Sequence, residues 1–254
     1  MARVIAITNQ KGGVGKTTTS INLAACLVEA GQRVLLVDMD SQANSTSGLG
    51  IDKNAVETSI YHVLIGEANL QEIIRPIAVD FDLAPSNPHL IGAEVELIQT
   101  LAREQRLKNA LQPLREAYDF IIIDCPPSLG LLTINSLTAS DKVLIPIQSE
   151  YYALEGLQQL LNTIELLKRS GLNSTLDIEG VLITMYDQRL NLSKQVMEEV
   201  ESFFKDKIYK TVIPRNVRLS ESPSFGQTII EYAPDSSGAQ SYQQLAKEVL
   251  SREG

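Results

Sequence analysis

Six short runs of aliphatic and β-branched residues recur along this chain, with longer stretches of helical periodicity between them. They are RVIAIT at 3–8, RVLLVD at 33–38, FIIIDC at 120–125, KVLIPI at 142–147, IEGVLIT at 178–184 and IYKTVIP at 208–214. Strands so continuously apolar tolerate water on neither face, so they predict a parallel sheet with helices on both sides. The expected fold class is α/β, a doubly wound, mostly parallel sheet flanked by helices. Periodicity predicts helices at about 17–30, 91–116, 130–139, 152–170, 191–205 and 237–251, the first stopped by Gly31. The polar segment 41–59, rich in Gly, Asn, Ser and Thr, reads as a mobile loop close to the functional site. With 44% apolar residues the 254-residue chain can bury a large core, so residues 1–254 are expected to form one domain.

Composition excludes several classes. The net charge of -9 is the wrong sign for an overall nucleic-acid footprint, so any such surface must be local. Cys26 and Cys125 are too few for a disulfide framework and lack metal spacing, which suits a reducing compartment. No apolar run approaches the roughly 18 residues of a membrane span, and strand-like sequence starts at residue 3, leaving no room for a signal peptide. The expected location is cytoplasmic.

Between the first strand and first helix stands QKGGVGKTT, residues 10–18. Gly12, Gly13 and Gly15 permit a tight turn in which successive N–H groups, that of Val14 among them, point at phosphate oxygens. The helix behind adds its positive end. Lys16 would reach the β- and γ-phosphates, the Thr17 hydroxyl would ligate Mg²⁺, and Thr18 would meet the α-phosphate. The loop implies a nucleotide's phosphates and Mg²⁺. Lys11 needs its own explanation, because a second cation beside Lys16 is repulsive; it could point outward and reach the nucleotide of a second subunit docked face to face.

The second strand ends in LLVDMD, and alternation along a strand sends Asp38 and Asp40 to the same side at its C-terminal end. FIIID buries four apolar residues and ends on Asp124, an acid costly to bury unless paired or near a metal; it is expected to hold Mg²⁺ through water.

The variant loop K-G-G-x-x-K-[ST], with its extra lysine, resembles the deviant Walker A motif of the ParA/MinD ATPases. The resemblance extends over essentially the whole chain. SLGLLTINSLTASD, EYYALEGL, LITMYD and TVIPRNVRLSESPSFG narrow it to the small chromosomal ParA branch called Soj. It implies a homodimer sandwiching two ATP molecules, with each Lys11 contacting phosphate across the interface, much as an arginine finger does. It assigns Asp40 to the attacking water and puts Asp38 nearer the magnesium shell. Many relatives have proline where this chain has Ser41, a departure that bears on loop rigidity but leaves the carboxylates in place.

The resemblance further points to Met185, Pro214 and Asn216 for the adenine pocket. Glu150 is read as orienting Lys11 or lining the interface, or else as a plain helix N-terminal acid. Nonspecific binding to double-stranded DNA is implied, which would make the protein nucleoid-associated. A local charge shift supports this: between Phe203 and Ser220 stand Lys205, Lys207, Lys210, Arg215 and Arg218 against only Asp206, with Arg189 and Lys194 preceding them. Arg189, Lys194, Lys205 and Arg218 are the candidate DNA contacts. The expected activator of slow hydrolysis is a ParB-like centromere-binding protein, giving a role in chromosome or plasmid segregation.

Two alternatives stand beside this reading. A metabolic phosphate-loop enzyme would need a second substrate pocket, for which no motif is evident. A MinD-like division-site regulator would need a basic amphipathic C-terminal helix. The tail AQSYQQLAKEVLSREG has two basic and two acidic residues and little bulk, which argues against membrane attachment.

Overall fold

The computed structural model describes residues 1–149 and 155–252. Glu150 lies outside them. Among the described residues, one seven-stranded sheet runs β3-β4-β2-β5-β1-β6-β7. Its strands are β1 (Arg3–Ile7), β2 (Val34–Asp38), β3 (Arg75–Ala78), β4 (Phe81–Ala84), β5 (Phe120–Asp124), β6 (Lys142–Gln148) and β7 (Asp177–Thr184). All neighbours are parallel except β3 and β4, which form an antiparallel edge pair.

The alternation of side chains divides each central strand between two cores. Val4 and Ala6 of β1 and Ile121 and Ile123 of β5 face one side, while Ile5, Ile7, Phe120 and Ile122 face the other. Helix α1 (Lys16–Glu29) and the helix Ser237–Ser251 cover the second face, the latter through Ala239, Tyr242, Leu245, Ala246 and Val249. The helices Arg106–Leu111, Leu131–Ala139, Glu155–Arg169 and Asn191–Phe204 cover the first. The C-terminal helix therefore spends its apolar face on α1. Among the described residues no helix is long and apolar enough to cross a membrane.

Four departures from the sequence reading have physical causes. The run 208–214 follows β7 without becoming a strand; only isolated bridges, Val181 with Ile208 and Tyr186 with Pro214, join it to the sheet side. The Tyr209 and Ile213 amides do reach the Val181 and Ile183 carbonyls of β7, but Glu248 accepts the Lys210 and Thr211 amide hydrogens at 2.8 and 3.0 Å, which interrupts the ladder between them, and Pro214 has no amide hydrogen to give. Strands β3 and β4 escaped notice because they are four residues each and β3 is largely exposed, so neither makes a long apolar run.

The expected helix 91–116 is broken into Leu90–Glu96, short 3-10 turns and Arg106–Leu111. Ala102 takes φ 53 at the break, and Asn135 bridges it, donating to the Arg103 carbonyl and accepting from the Leu107 amide. The segment expected as mobile loop is instead folded in its first part into a short helix, α2 (Asn44–Gly48), with Ser45, Thr46 and Gly48 buried.

Candidate nucleotide-binding site

The phosphate-loop sequence leaves β1 at Ile7, whose register partner on β5 is Asp124, and enters α1 at Lys16. Gly13 and Gly15 adopt φ 75 and 84, left-handed values that a side chain would strain. Two side chains fasten the loop to the sheet. Asn9 donates to the Pro146 carbonyl at 2.8 Å and accepts from the Lys11 amide at 3.0 Å, and the Thr184 hydroxyl donates to the Val14 carbonyl at 2.8 Å. The first turn of α1 contains no acid and no side-chain cap, so its positive end is left for an anion.

Lys16 is buried beneath the loop and donates to the Lys11 carbonyl at 3.2 Å. Burial lowers its ammonium pKa, and nearby Asp124 and Asp40 oppose that shift. Lys11 is half-buried at the mouth, beside the exposed Gly12 and Gly13. Thr17 and Thr18 follow in the first turn, and the Thr17 hydroxyl lies near enough to Asp124 to favour its charged form.

Asp38 and Asp124 are register partners at the C-terminal ends of adjacent strands, and both are fully buried. Burial raises the pKa of each; Asp124 raises Asp38 further, and Asp40 does the same to Asp124. Hydroxyl groups offset the cost. Ser20 and Ser45 donate to the two oxygens of Asp124 at 3.0 and 2.8 Å. Thr46 donates to Asp38 Oδ2 from both its amide, at 2.8 Å, and its hydroxyl, at 2.7 Å, and the Asp40 amide reaches Asp38 Oδ1 at 3.2 Å. Asp40 caps the turn beyond by accepting from the Gln42 amide at 2.9 Å.

Ser20, Ser45 and Thr46 were missed in the sequence. Ser45 and Thr46 were hidden by the polar composition that made 41–59 look like loop; their hydroxyls turn inward to the acids. Two buried carboxylates kept among neutral hydroxyls, with Thr17 beside one of them, form a donor set that suits a hard, oxygen-seeking divalent cation. No group of three or more His, Cys, Asp or Glu side chains able to hold a metal occurs among the described residues. That count fits Mg²⁺, which is usually held by one or two carboxylates plus phosphates and water.

Met185, Pro214 and Asn216 come together in a cleft of about 250 Å³ that also includes Gly15, Thr18 and Tyr242. Met185 takes φ 50 as the chain leaves β7, and the Tyr186 amide and carbonyl tie it to Ile213 and Arg215. Asn216 caps the helix Val217–Glu221 and donates to Ser237 at 2.8 Å.

The basic candidates do not form one cluster. Arg189 lies just past β7, and Asp187 lies close enough to Arg215 for the two to interact electrostatically, while Arg218 follows three residues after Arg215. Lys194 is exposed near the start of the helix Asn191–Phe204. Lys205 stands at that helix's far end, roughly 20 Å along its axis from Asn191 at 1.5 Å per residue. Lys207, counted in the basic surplus, is tied to Asp177 at 2.6 Å, a carboxylate that it shares with Lys142 at 3.1 Å.

Comparison with known proteins gives the lineage. A family model described as an AAA domain matches residues 2–178. The sporulation initiation inhibitor protein Soj of Bacillus subtilis is 62% identical over 98% of this chain and 98% of its own. The chromosome partitioning protein ParA of Myxococcus xanthus is 54% identical, covering 100% of this chain and 89% of its own. This chain belongs to the ParA/Soj family. Among solved structures, one described as cobyrinic acid a,c-diamide synthase from Mycobacterium smegmatis, with bound ADP and magnesium, superposes with a TM-score of 0.87 at 38% identity, covering 98% of this chain and 94% of that one.

Proposed function

We propose that the protein is a Mg²⁺-dependent ATPase of chromosome or plasmid partition, closing into an ATP-bound dimer that holds DNA without sequence preference and releases it after hydrolysis. The observation that carries this reading is the pair of lysines on one loop: Lys16 is buried beneath it, while Lys11 stands at its mouth beside an exposed, side-chain-free Gly12.

In this reading the amides of residues 12–16 and the end of α1 bind the phosphates, and Lys16 exchanges the Lys11 carbonyl for the β- and γ-oxygens. Thr17 supplies the hydroxyl ligand for Mg²⁺, with Asp124 holding the cation from behind through water. Asp38 adds charge to that shell while its oxygens anchor α2. Held by Thr17 and Asp124, the cation would supply positive charge to the transferred phosphoryl group. Asp40 orients water, and Lys11 of the opposite subunit brings a further positive charge. Met185, Pro214 and Asn216 take the adenine. A site of this kind without its activator turns over slowly, at about 10⁻⁴ to 10⁻² per second, and a ParB-like protein is the proposed stimulator.

Arg189, Lys194 and Arg218 are proposed to meet the DNA backbone, with Lys205 a more distant contributor. If each subunit neutralises about three or four phosphates, the log-log salt slope approaches roughly −6 or −7 for the dimer and about −3 for the monomer. Salt titrations on unrelated duplexes, with an ATP analogue and with ADP, test this alongside light scattering. Equal slopes and affinities in the two states would overturn the switch.

The name of the Mycobacterium smegmatis neighbour favours one second reading, a small-molecule enzyme. Steady ATP turnover that depends on a small acceptor, with no response to DNA, would support it.

A further inference from the structure

Both arginines proposed as DNA contacts are already occupied by a carboxylate of their own segment. Arg189 engages Asp187 with its backbone amide at 3.0 Å, its Nε at 2.9 Å and its Nη2 at 2.6 Å. The guanidinium thus presents its fork to an acid two residues away. Arg218 donates from Nη1 to Glu221 at 3.0 Å, and its guanidinium carbon lies 6.0 Å from the centre of the Tyr232 ring. Tyr232 itself donates to the same Glu221 oxygen at 3.1 Å, fixing that carboxylate in place. Arginine reads a phosphate with the same edge of donors that it presents to a carboxylate, so Asp187 competes directly for the fork of Arg189, while Glu221 holds one donor of Arg218.

We propose that Asp187 and Glu221 act as latches on the DNA-binding surface, holding Arg189 and Arg218 until a backbone phosphate displaces the carboxylate. This rests on the reading that these arginines touch DNA. Engagement is then an exchange: one Arg–carboxylate pair opens for each Arg–phosphate pair that closes, and a bare acid is left beside the polyanion. Such an exchange contributes little in a single subunit, because the lost pair offsets the new one. Two subunits on one duplex add phosphate contacts from both, so a dimer still binds where a single latched subunit is too weak.

The latch acids also sit close to the proposed adenine cleft. Asp187 is two residues past Met185 and interacts with Arg215, which lines that cleft, and Glu221 is two residues beyond Leu219, another lining residue. The backbone hydrogen bonds of Tyr186 with Ile213 and Arg215 tie the two segments together. A nucleotide in the cleft therefore touches the same two segments that carry both latches.

The test is a salt titration of Asp187→Asn and Glu221→Gln with Mg²⁺ and a non-hydrolysable ATP analogue, on a duplex of arbitrary sequence. Both acids are near the surface, and an unchanged thermal midpoint by circular dichroism checks that the variants fold. Release of a surface pair predicts affinity higher by roughly two- to fivefold per subunit, since such pairs are weak. The slope against log salt stays unchanged, because the number of phosphates neutralised is the same before and after the substitution. Unchanged or weaker binding would overturn the proposal; weaker binding would mean that the acids orient the arginines. A steeper slope would also overturn it, because the arginines would then stay latched in the native complex. Arg189→Ala and Arg218→Ala test the underlying reading separately: each should flatten the slope by about 0.9 per subunit, and no change would remove the arginines from the DNA surface whatever the latches do.

Discussion

The Lys16 ammonium donates to the Lys11 carbonyl at 3.2 Å, so the two lysines of the phosphate loop are joined across its base by one hydrogen bond. The side chain of Lys16 is thereby directed under the loop, whereas Lys11 leaves it at the mouth. A phosphate that draws Lys16 away must give the Lys11 carbonyl another donor, which couples the two lysines through backbone rather than through charge.

Gly12 separates intramolecular from intermolecular roles at that mouth. A Cβ built there meets nothing within 4 Å, and its backbone is not in the left-handed region. Gly12→Val should therefore fold and bind ADP with affinity within about twofold of the parent, yet fail to dimerise with ATP. Light scattering together with fluorescent-nucleotide titration reads both, and an intact ATP dimer would refute the close approach of two loops.

Asp40 is mostly buried but keeps its Oδ2 clear of the Gln42 contact, which uses Oδ1. Asp40→Ala is expected to retain ATP binding and dimerisation while lowering turnover by about 10²- to 10⁴-fold, the usual range for a group acting on the reacting proton or water. Single-turnover hydrolysis measures this; a change below threefold would move the role to another residue.

Thr46 joins the second strand-end acid to the segment after it. Its hydroxyl donates to Asp38 and accepts from the Ser86 amide at 2.9 Å, all in the buried interior. Thr46→Val keeps the shape, leaves the Ser86 amide without its acceptor and takes one of two donors from Asp38 Oδ2, which keeps the residue-46 amide, for a cost of about 1–3 kcal/mol. The thermal midpoint should fall by several degrees, and Thr46→Ser should restore most of it.

The acids give stability a pH dependence of definite sign. Folding raises the pKa of both Asp38 and Asp124, chiefly through burial. The folded protein thus holds protons that the unfolded chain has released above about pH 4. Their contribution is favourable at acid pH and is lost as pH rises through the raised values. In a chelator and without nucleotide, this pair should lower the thermal midpoint between pH 5 and pH 8, and Asp124→Asn should flatten that trend. Adding Mg²⁺ and ADP at pH 8 should raise the midpoint of the parent and much less that of the variant, because a bound cation replaces the protons. An identical trend in the variant would show that the carboxylates titrate normally.

Sequence alone determined the parallel sheet, because RVIAIT, RVLLVD, FIIID, KVLIPI and IEGVLIT are apolar at every phase and only two-sided burial satisfies them. It also determined the loop, where glycine spacing and two lysines act locally, and it named Asp38, Asp40 and Asp124, since alternation and strand ends are one-dimensional properties. Tertiary structure alone decided the rest. Ser45 and Thr46 look like loop residues until α2 turns their hydroxyls onto acids up to 79 positions away. The run 208–214 has strand composition, but Glu248 of the last helix takes two of its amide hydrogens, those of Lys210 and Thr211, and interrupts its pairing with β7. Lys207 reads as surface charge until Asp177, 30 residues earlier, claims it. In each case the deciding partner is remote in sequence, so no local pattern could reveal whether a polar group faces water, another backbone or a buried carboxylate.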